Sequence, residues 1–257
     1  MRSFNAKSIG SLTISALFIA FSTTSSARAS AAPFEDSLAQ RARACIGCHG
    51  DQGRAAADGY YPRIAGKPAG YLYSQLKHFQ RGQRNYPLMA KLVDPLSDAY
   101  LWEIARHFAS LDPPYPAPPT STVPQEVLLR GEQLALRGDR ASKLPACASC
   151  HGAQLTGVQP ATPGLLGLPR DYINAQLGAW QRGTRKAHRP DCMADIAQQM
   201  KPDDVAAVSA WLASRPLSRQ TRAIASIETK PPLDCGSFVS PSSSESDGSG
   251  AIPRDRP

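Results

Sequence analysis

Cys45-Ile46-Gly47-Cys48-His49 and Cys147-Ala148-Ser149-Cys150-His151 are two copies of one pattern, C-x-x-C-H, each followed by glycine (Gly50 and Gly152). The spacing has a chemical reading. Two thiols on one helical turn can each add to one vinyl group of a haem, and the adjacent imidazole then reaches the iron from the same side. A C-x-x-C pair alone also suits a thioredoxin-like redox couple or half of a zinc site. A redox couple has no need of the following histidine. A zinc site wants its two cysteine pairs close together, and these lie about a hundred residues apart in the chain. The pattern therefore points to two covalently bound haem c groups. Cys45, Cys48, Cys147 and Cys150 would form the thioethers, with His49 and His151 as axial ligands.

Outward from the motifs, the second half repeats the first. Pro62-Arg63-Ile64-Ala65-Gly66 answers Pro163-Gly164-Leu165-Leu166-Gly167, and Tyr71 to Leu76 answers Tyr172 to Leu177. Gln80-Arg81-Gly82-Gln83-Arg84 answers Gln181-Arg182-Gly183-Thr184-Arg185. Met89-Ala90 answers Met193-Ala194, 40 residues after His49 and 42 after His151. A methionine is most often a flexible filler of core space. Two methionines at matching places, each after a polar loop, read instead as the second axial ligands. Met200 competes in the second half but falls on the position of Leu96, at the start of the last helix. A His/Met set fills both axial positions, which favours electron transfer over substrate binding. His78 and His107 align with Ala179 and Trp211, so they, like His188, are not read as ligands. The carbonyls of Pro62 and Pro163 are candidates to accept the N–H of the proximal histidines and fix their tautomer. Arg81, Arg84, Arg182 and Arg185 are candidates to pair with haem propionates, against a plain reading as solvated helix ends.

The periodicity predicts helices throughout. A short helix over 35–44 leads into the first motif. Pro68 suits the first turn of a helix on which Leu72, Leu76 and Phe79 share a face. Ser97 is an N-cap for a helix with a stripe of Leu101, Ile104, Ala105 and Phe108. Residues 112–120 hold five prolines and read as an extended, semi-rigid linker.

Arg2 and Lys7, a short apolar stretch over 9–21 and Ala27-Arg28-Ala29 read as a cleaved secretory signal peptide, residues 1–29, rather than a membrane span. Export to the periplasm agrees with thioether attachment, which takes place outside the cytoplasm. The chain carries a formal net charge of +8, three of it in this leader. That balance does not argue for nucleic acid as a partner. Haem attachment leaves Cys192 and Cys235 over. In an oxidising compartment such a pair forms a disulfide, with Cys192 as an iron ligand the sharper alternative. Residues after about 240 are rich in Ser, Gly and Pro and read as disordered.

The paired C-x-x-C-H-G, the Pro-x-x-x-Gly stretches, the Gln-Arg-Gly-x-Arg segments and the spacing from Met to Leu-Ser-Asp resemble the dihaem cytochrome c4 family over about 35–217. The resemblance implies an all-α fold of two tandem class I cytochrome c domains, related by a pseudo-twofold axis and joined by the proline-rich linker. The domains would span 30–111 and 125–217, with the linker at 112–124 and an extension at 218–257. It assigns Cys45, Cys48, Cys147 and Cys150 to the thioethers, His49 and His151 to proximal ligation, and Met89 and Met193 to distal ligation. It also implies a periplasmic electron carrier with redox protein partners, an upstream donor and a terminal oxidase. An electron-accepting subunit of a periplasmic dehydrogenase uses the same domains. A dihaem peroxidase needs a displaceable ligand, which two methionines oppose. The chain departs from the family in three places: the first leading helix lacks the glycine found at Gly131, the loop before Met193 is two residues longer, and the C-terminus runs on for about forty residues.

Overall fold

The computed structural model describes residues 37–55, 60–217 and 221–236, all within one compact unit, Asp36–Pro257. The expected leader, 1–29, and the expected disordered tail after about 240 lie outside the described residues. Two similar sets of helices follow one another along the chain. The first is α1 (Leu38–Arg41), α2 (Arg43–His49), α3 (Ala69–Gln80), α4 (Pro87–Val93) and α5 (Asp98–Ser110). The second is α6 (Gln125–Leu136), α7 (Ala148–His151), α8 (Arg170–Gln181), α9 (Cys192–Gln199) and α10 (Pro202–Ser214). Between α7 and α8, β1 (Gly157–Val158) and β2 (Thr162–Pro163) form a small antiparallel hairpin that the helical periodicity gave no sign of.

Local signals set the helix ends. The leading helix expected over 35–44 is two short helices separated by a turn at Ala42. Ser37 caps the first, its hydroxyl accepting from Gln40 N at 3.3 Å. Pro68 precedes α3, and Ser97 caps α5 by accepting from Tyr100 N at 3.3 Å. Leu101, Ile104, Ala105 and Phe108 are all buried, as their spacing requires. Each half closes around its own apolar core. Leu72, Phe79, Val93, Leu101 and Phe108 belong to the first, and Leu134, Leu177, Trp180, Val208 and Leu212 to the second. Met200, the competing methionine, is buried in the second core. Gly131 shapes that core, because α6 crosses α10 so closely that a β-carbon there would lie 2.2 Å from the carbonyl oxygen of Ala207.

Residues 111–120 run extended, as their prolines dictate. They are tied to the first half by the buried Arg63. Its guanidinium donates to the carbonyls of Ala65 (3.2 Å), Pro114 (3.4 Å) and Pro113, and lies 3.7 Å from the centre of the Tyr115 ring.

The halves meet through reciprocal contacts. Arg84 donates to Gln75 in its own half (3.2 Å) and to Gln176 (2.9 Å) and Tyr172 (2.9 Å) in the other. Arg185 donates to Gln176 in its own half (2.8 Å) and to Gln75 in the other (3.0 Å). An isolated antiparallel bridge joins Arg84 to Arg185. Asn85 N donates to Thr184 O and Lys186 N donates to Gln83 O. Apart from the bond to Tyr172, each of these contacts has a partner under exchange of the halves, which is the pseudo-twofold relation written in hydrogen bonds. Two tandem helical domains, all-α apart from the hairpin, are the architecture.

Candidate haem-binding site

In each half the helix bearing C-x-x-C-H ends at its histidine, at His49 in α2 and His151 in α7. His49 Nδ1 donates to the carbonyl of Pro62 at 2.8 Å, and His151 Nδ1 to that of Pro163 at 2.7 Å. Both prolines sit where the repeat placed them. Burial lowers the pKa of both imidazoles below the ordinary histidine range. A neutral ring with its proton held on Nδ1 leaves the Nε2 lone pair for a metal.

The thiols are unpaired in the structure. Burial raises the pKa of Cys45, of Cys150 and of Cys147, the last to about 11. A dithiol redox couple draws on a thiolate with depressed pKa, which none of these three thiols has. Among the described residues no cluster of three or more His, Cys, Asp and Glu side chains is arranged to hold a metal ion.

Met89 and Met193 stand in the first turns of α4 and α9, both partly buried. Pro87 starts α4, and Asp191 caps α9 by accepting from Ala194 N at 3.2 Å. The far ends of these helices are held alike. Gln80 Nε2 donates to the carbonyls of Val93 (2.7 Å) and Leu96 (2.8 Å), and Gln181 Nε2 to those of Ala197 (2.9 Å) and Met200 (3.0 Å). The glutamine at the head of each Gln-Arg-Gly-x-Arg segment thus positions the methionine helix. The repeat marked the residue without revealing that task.

All eight residues named from the sequence, Cys45, Cys48, His49, Met89, Cys147, Cys150, His151 and Met193, line one continuous cavity of about 920 Å³ that runs through both halves. Its walls are mainly apolar, with Leu72, Phe79, Ile104 and Phe108 on one side and Ile173, Leu177, Val208 and Leu212 on the other. Paired thiols, a neutral imidazole with a free nitrogen, a thioether sulfur and an apolar slot are the donor set and setting of a c-type haem. The residues fit the group.

Buried cations ring the junction of the halves. Lys67 reaches from the first half to donate to Gly164 O at 2.9 Å. Burial, reinforced by Arg63, presses its pKa down to about 8. The partners of Arg84 and Arg185 are amides, a phenol and the rings of Phe79 and Trp180, so these guanidiniums serve first to join the halves. His78 and His188, from opposite halves, face each other with ring centroids 5.1 Å apart. His78 Nε2 is buried without a hydrogen-bond partner. Burial, then the neighbouring His188, Arg185, Arg84 and Arg81, drives the His78 pKa down to about 4.

The rims of the two sites differ. Tyr60, Tyr61 and Tyr86 cluster beside His49, with the Tyr60 and Tyr61 rings edge-on at 4.9 Å and the Tyr86 and Tyr61 hydroxyls 3.4 Å apart. Ala161, Thr162 and Pro190 occupy the matching places in the second half. There the extension takes part. Cys192 and Cys235 form the expected disulfide, with Cα atoms 5.4 Å apart. Cys192 is therefore no iron ligand.

Helix-end histidines, methionine helices and an apolar slot define a c-type cytochrome, and known proteins agree. A cytochrome c family model matches residues 130–216. A thiosulfate dehydrogenase electron acceptor of Thiomonas intermedia is 41% identical over 179 residues, 69% of this chain and 81% of that protein. The cytochrome c4 of Pseudomonas aeruginosa is 32% identical over 181 residues, 69% of this chain and 87% of that one. The crystal structure of reduced cytochrome c4 from Pseudomonas stutzeri superposes with a TM-score of 0.59 at 27% identity, over 68% of this chain and 94% of that chain. The chain belongs to the cytochrome c4 family. It is an electron-transfer protein carrying covalently bound haem c, with redox proteins as partners and no enzymatic role of its own. No helix among the described residues is long and apolar enough to cross a membrane.

Proposed function

We propose that the chain binds two haems, one in each half, and passes single electrons through them in the periplasm after removal of residues 1–29. The domains would be 30–111 and 125–217, with 112–124 as linker. The observation that carries this reading is the duplicated histidine–proline carbonyl pair, at 2.8 and 2.7 Å, on one cavity that also meets two cysteine pairs and two methionines. When bound, haem supplies a reversible one-electron couple. Cys45 and Cys48, and Cys147 and Cys150, would tether it. Nε2 of His49 and of His151 would ligate from one side, and the sulfurs of Met89 and Met193 from the other. The apolar walls exclude water. The buried Lys67 and Arg185 and the half-buried Arg84 would offset negative propionates.

Electrons would pass from an upstream donor toward a terminal oxidase. The Thiomonas relative favours a second reading on the donor side, acceptance from a thiosulfate-oxidising dehydrogenase. Two measurements test these readings. Mass spectrometry and a haem assay are expected to give two haems per chain, and one haem per chain would refute the assignment. Mixing the oxidised protein with a thiosulfate dehydrogenase and thiosulfate is expected to reduce both haems. Failure there, with reduction by other respiratory donors intact, would leave the general carrier alone standing.

A further inference from the structure

Leu88, which precedes Met89, is 64% exposed. Its counterpart before Met193 is Cys192, partly buried and bonded to Cys235. Leu92, one turn further along α4, is 43% exposed, whereas its counterpart Ile196 is partly buried. Tyr60, on the same rim of the first site, is 62% exposed. All three line the mouth of the cavity on the first half. On the second half Leu233, Cys235 and Gly236 of the extension join Ala161, Thr162 and Pro190 in lining the cavity.

The extension is fastened along its length. Arg222 reaches Asp112 at 3.5 Å and the carbonyl of Ser110 at 3.2 Å. Ile224 pairs with Val158, accepting from Gln159 N at 2.8 Å and donating to Gly157 O at 3.0 Å. Gly236 N donates to Pro190 O at 2.8 Å, and its backbone lies so close that a β-carbon would sit 2.4 Å from His188 O. The disulfide locks the far end to α9. Among the described residues, no such cover lies over Leu88 and Leu92.

We infer that the extension closes the second haem site to protein partners and leaves the apolar rim of the first as the single port for electron exchange. The inference rests on the two-haem reading above. The occupant of the port is a redox protein: the rim is apolar and exposed beside the expected ligand Met89, and the Thiomonas relative is named as the electron acceptor of another protein, a dehydrogenase. An electron arriving at the first haem then moves inward to the second and leaves by the way it came. Donor and acceptor compete for one face and dock in turn.

The test is stopped-flow reduction of the full, haem-loaded protein by an excess of a reduced monohaem c-type cytochrome, with dithionite as a small reductant. Leu88→Lys with Leu92→Lys places charge on the rim at exposed positions. With one port, both haems of this variant should be reduced at least tenfold more slowly by the protein donor and no more slowly by dithionite, a small anion that the added lysines do not repel. Adding Cys235→Ser to it should restore a fast protein-driven phase by freeing the second rim. Slowing of no more than twofold, or half the absorbance change staying fast, would mean that the second site has its own port and would overturn the inference. That outcome would leave haem count and reducibility intact, so the carrier reading would survive it. Cys235→Ser in the otherwise unchanged chain gives an independent check. Its donor-driven rate should rise, up to twofold, and an unchanged rate there, with no restored phase in the triple variant, would also overturn the inference.

Discussion

At the residue scale, Met89 and His78 make opposite points. Met89 sits in a first helical turn behind Pro87, with its helix pinned by Gln80, so its sulfur is held rather than wandering. On the proposed ligation by Met89 and Met193, Met89→Ala is expected to leave one iron without its sulfur ligand while Met193 keeps the other. Carbon monoxide should then bind about one haem per chain, where the parent binds none, as read from the Soret difference spectrum. His78 is a buried neutral base among cations. Its pKa falls from 6.5 to about 4, so between those values the unfolded chain holds a proton that the folded one refuses. Stability should therefore decline as pH drops through that window and level off below it. His78→Gln should flatten the decline, measured as denaturant midpoints from pH 7 to 4. The two residues also differ in how far sequence reveals them. Met89 and Pro62 were legible because each has a counterpart at a matching position. His78 aligns with Ala179, and its neighbour His188 comes from the longer loop of the other half, so neither periodicity nor repeat could bring them together.

At the element scale, α3 and α5 were readable from Pro68, Ser97 and their apolar stripes, all of them local signals, and the repeat carried them over to α8 and α10. The short helix before the first motif was read too, without its break at Ala42, whereas α4 and α9 were read only as the ends of polar loops leading to Met89 and Met193. α6 runs twelve residues and α1 only four. Gly131, whose missing side chain lets α6 lie against the backbone of α10, is found only in the second half's leading helix. Gly131→Ala tests this directly. Alanine in a helix gains about 1 kcal/mol over glycine in propensity. A β-carbon 2.2 Å from a backbone oxygen, which has no flexible end to swing away, outweighs that gain. A net loss of about 2 kcal/mol is expected from guanidinium unfolding of the haem-loaded protein. A neutral or stabilising result would show that α6 can shift to make room.

At the scale of the whole molecule, the junction of the halves decides whether two small domains behave as one. Gln75 accepts from both Arg84 and Arg185, and Gln176 does the same, so the four side chains form one network. The sequence marked these arginines only as repeated cations, and charge alone suggested the propionates. Contacts between Arg185 and Gln75, 110 residues apart, carry no trace in local pattern. Arg84→Met and Arg185→Met are each expected to cost about 1–3 kcal/mol, from loss of partly buried charge-assisted hydrogen bonds. Because the acceptors are shared, the double variant should lose less than the sum, with a coupling of at least about 0.5 kcal/mol in a double-mutant cycle. Strict additivity would mean that the two arginines act separately.

The reciprocity of that junction has a further meaning. When residue i of one body bonds residue j of another, and j of the first bonds i of the second, the contact is isologous, the kind by which two identical subunits make a closed dimer. Here both subunits lie on one chain. The proline segment supplies none of the Arg84–Gln176 and Arg185–Gln75 bonds; it only keeps the two faces within reach of each other. In the language of association, it replaces a concentration of free subunits by a fixed effective concentration. The molecule is a dimer that no dilution can take apart, and its two members, freed from having to stay identical, have come to differ at their rims.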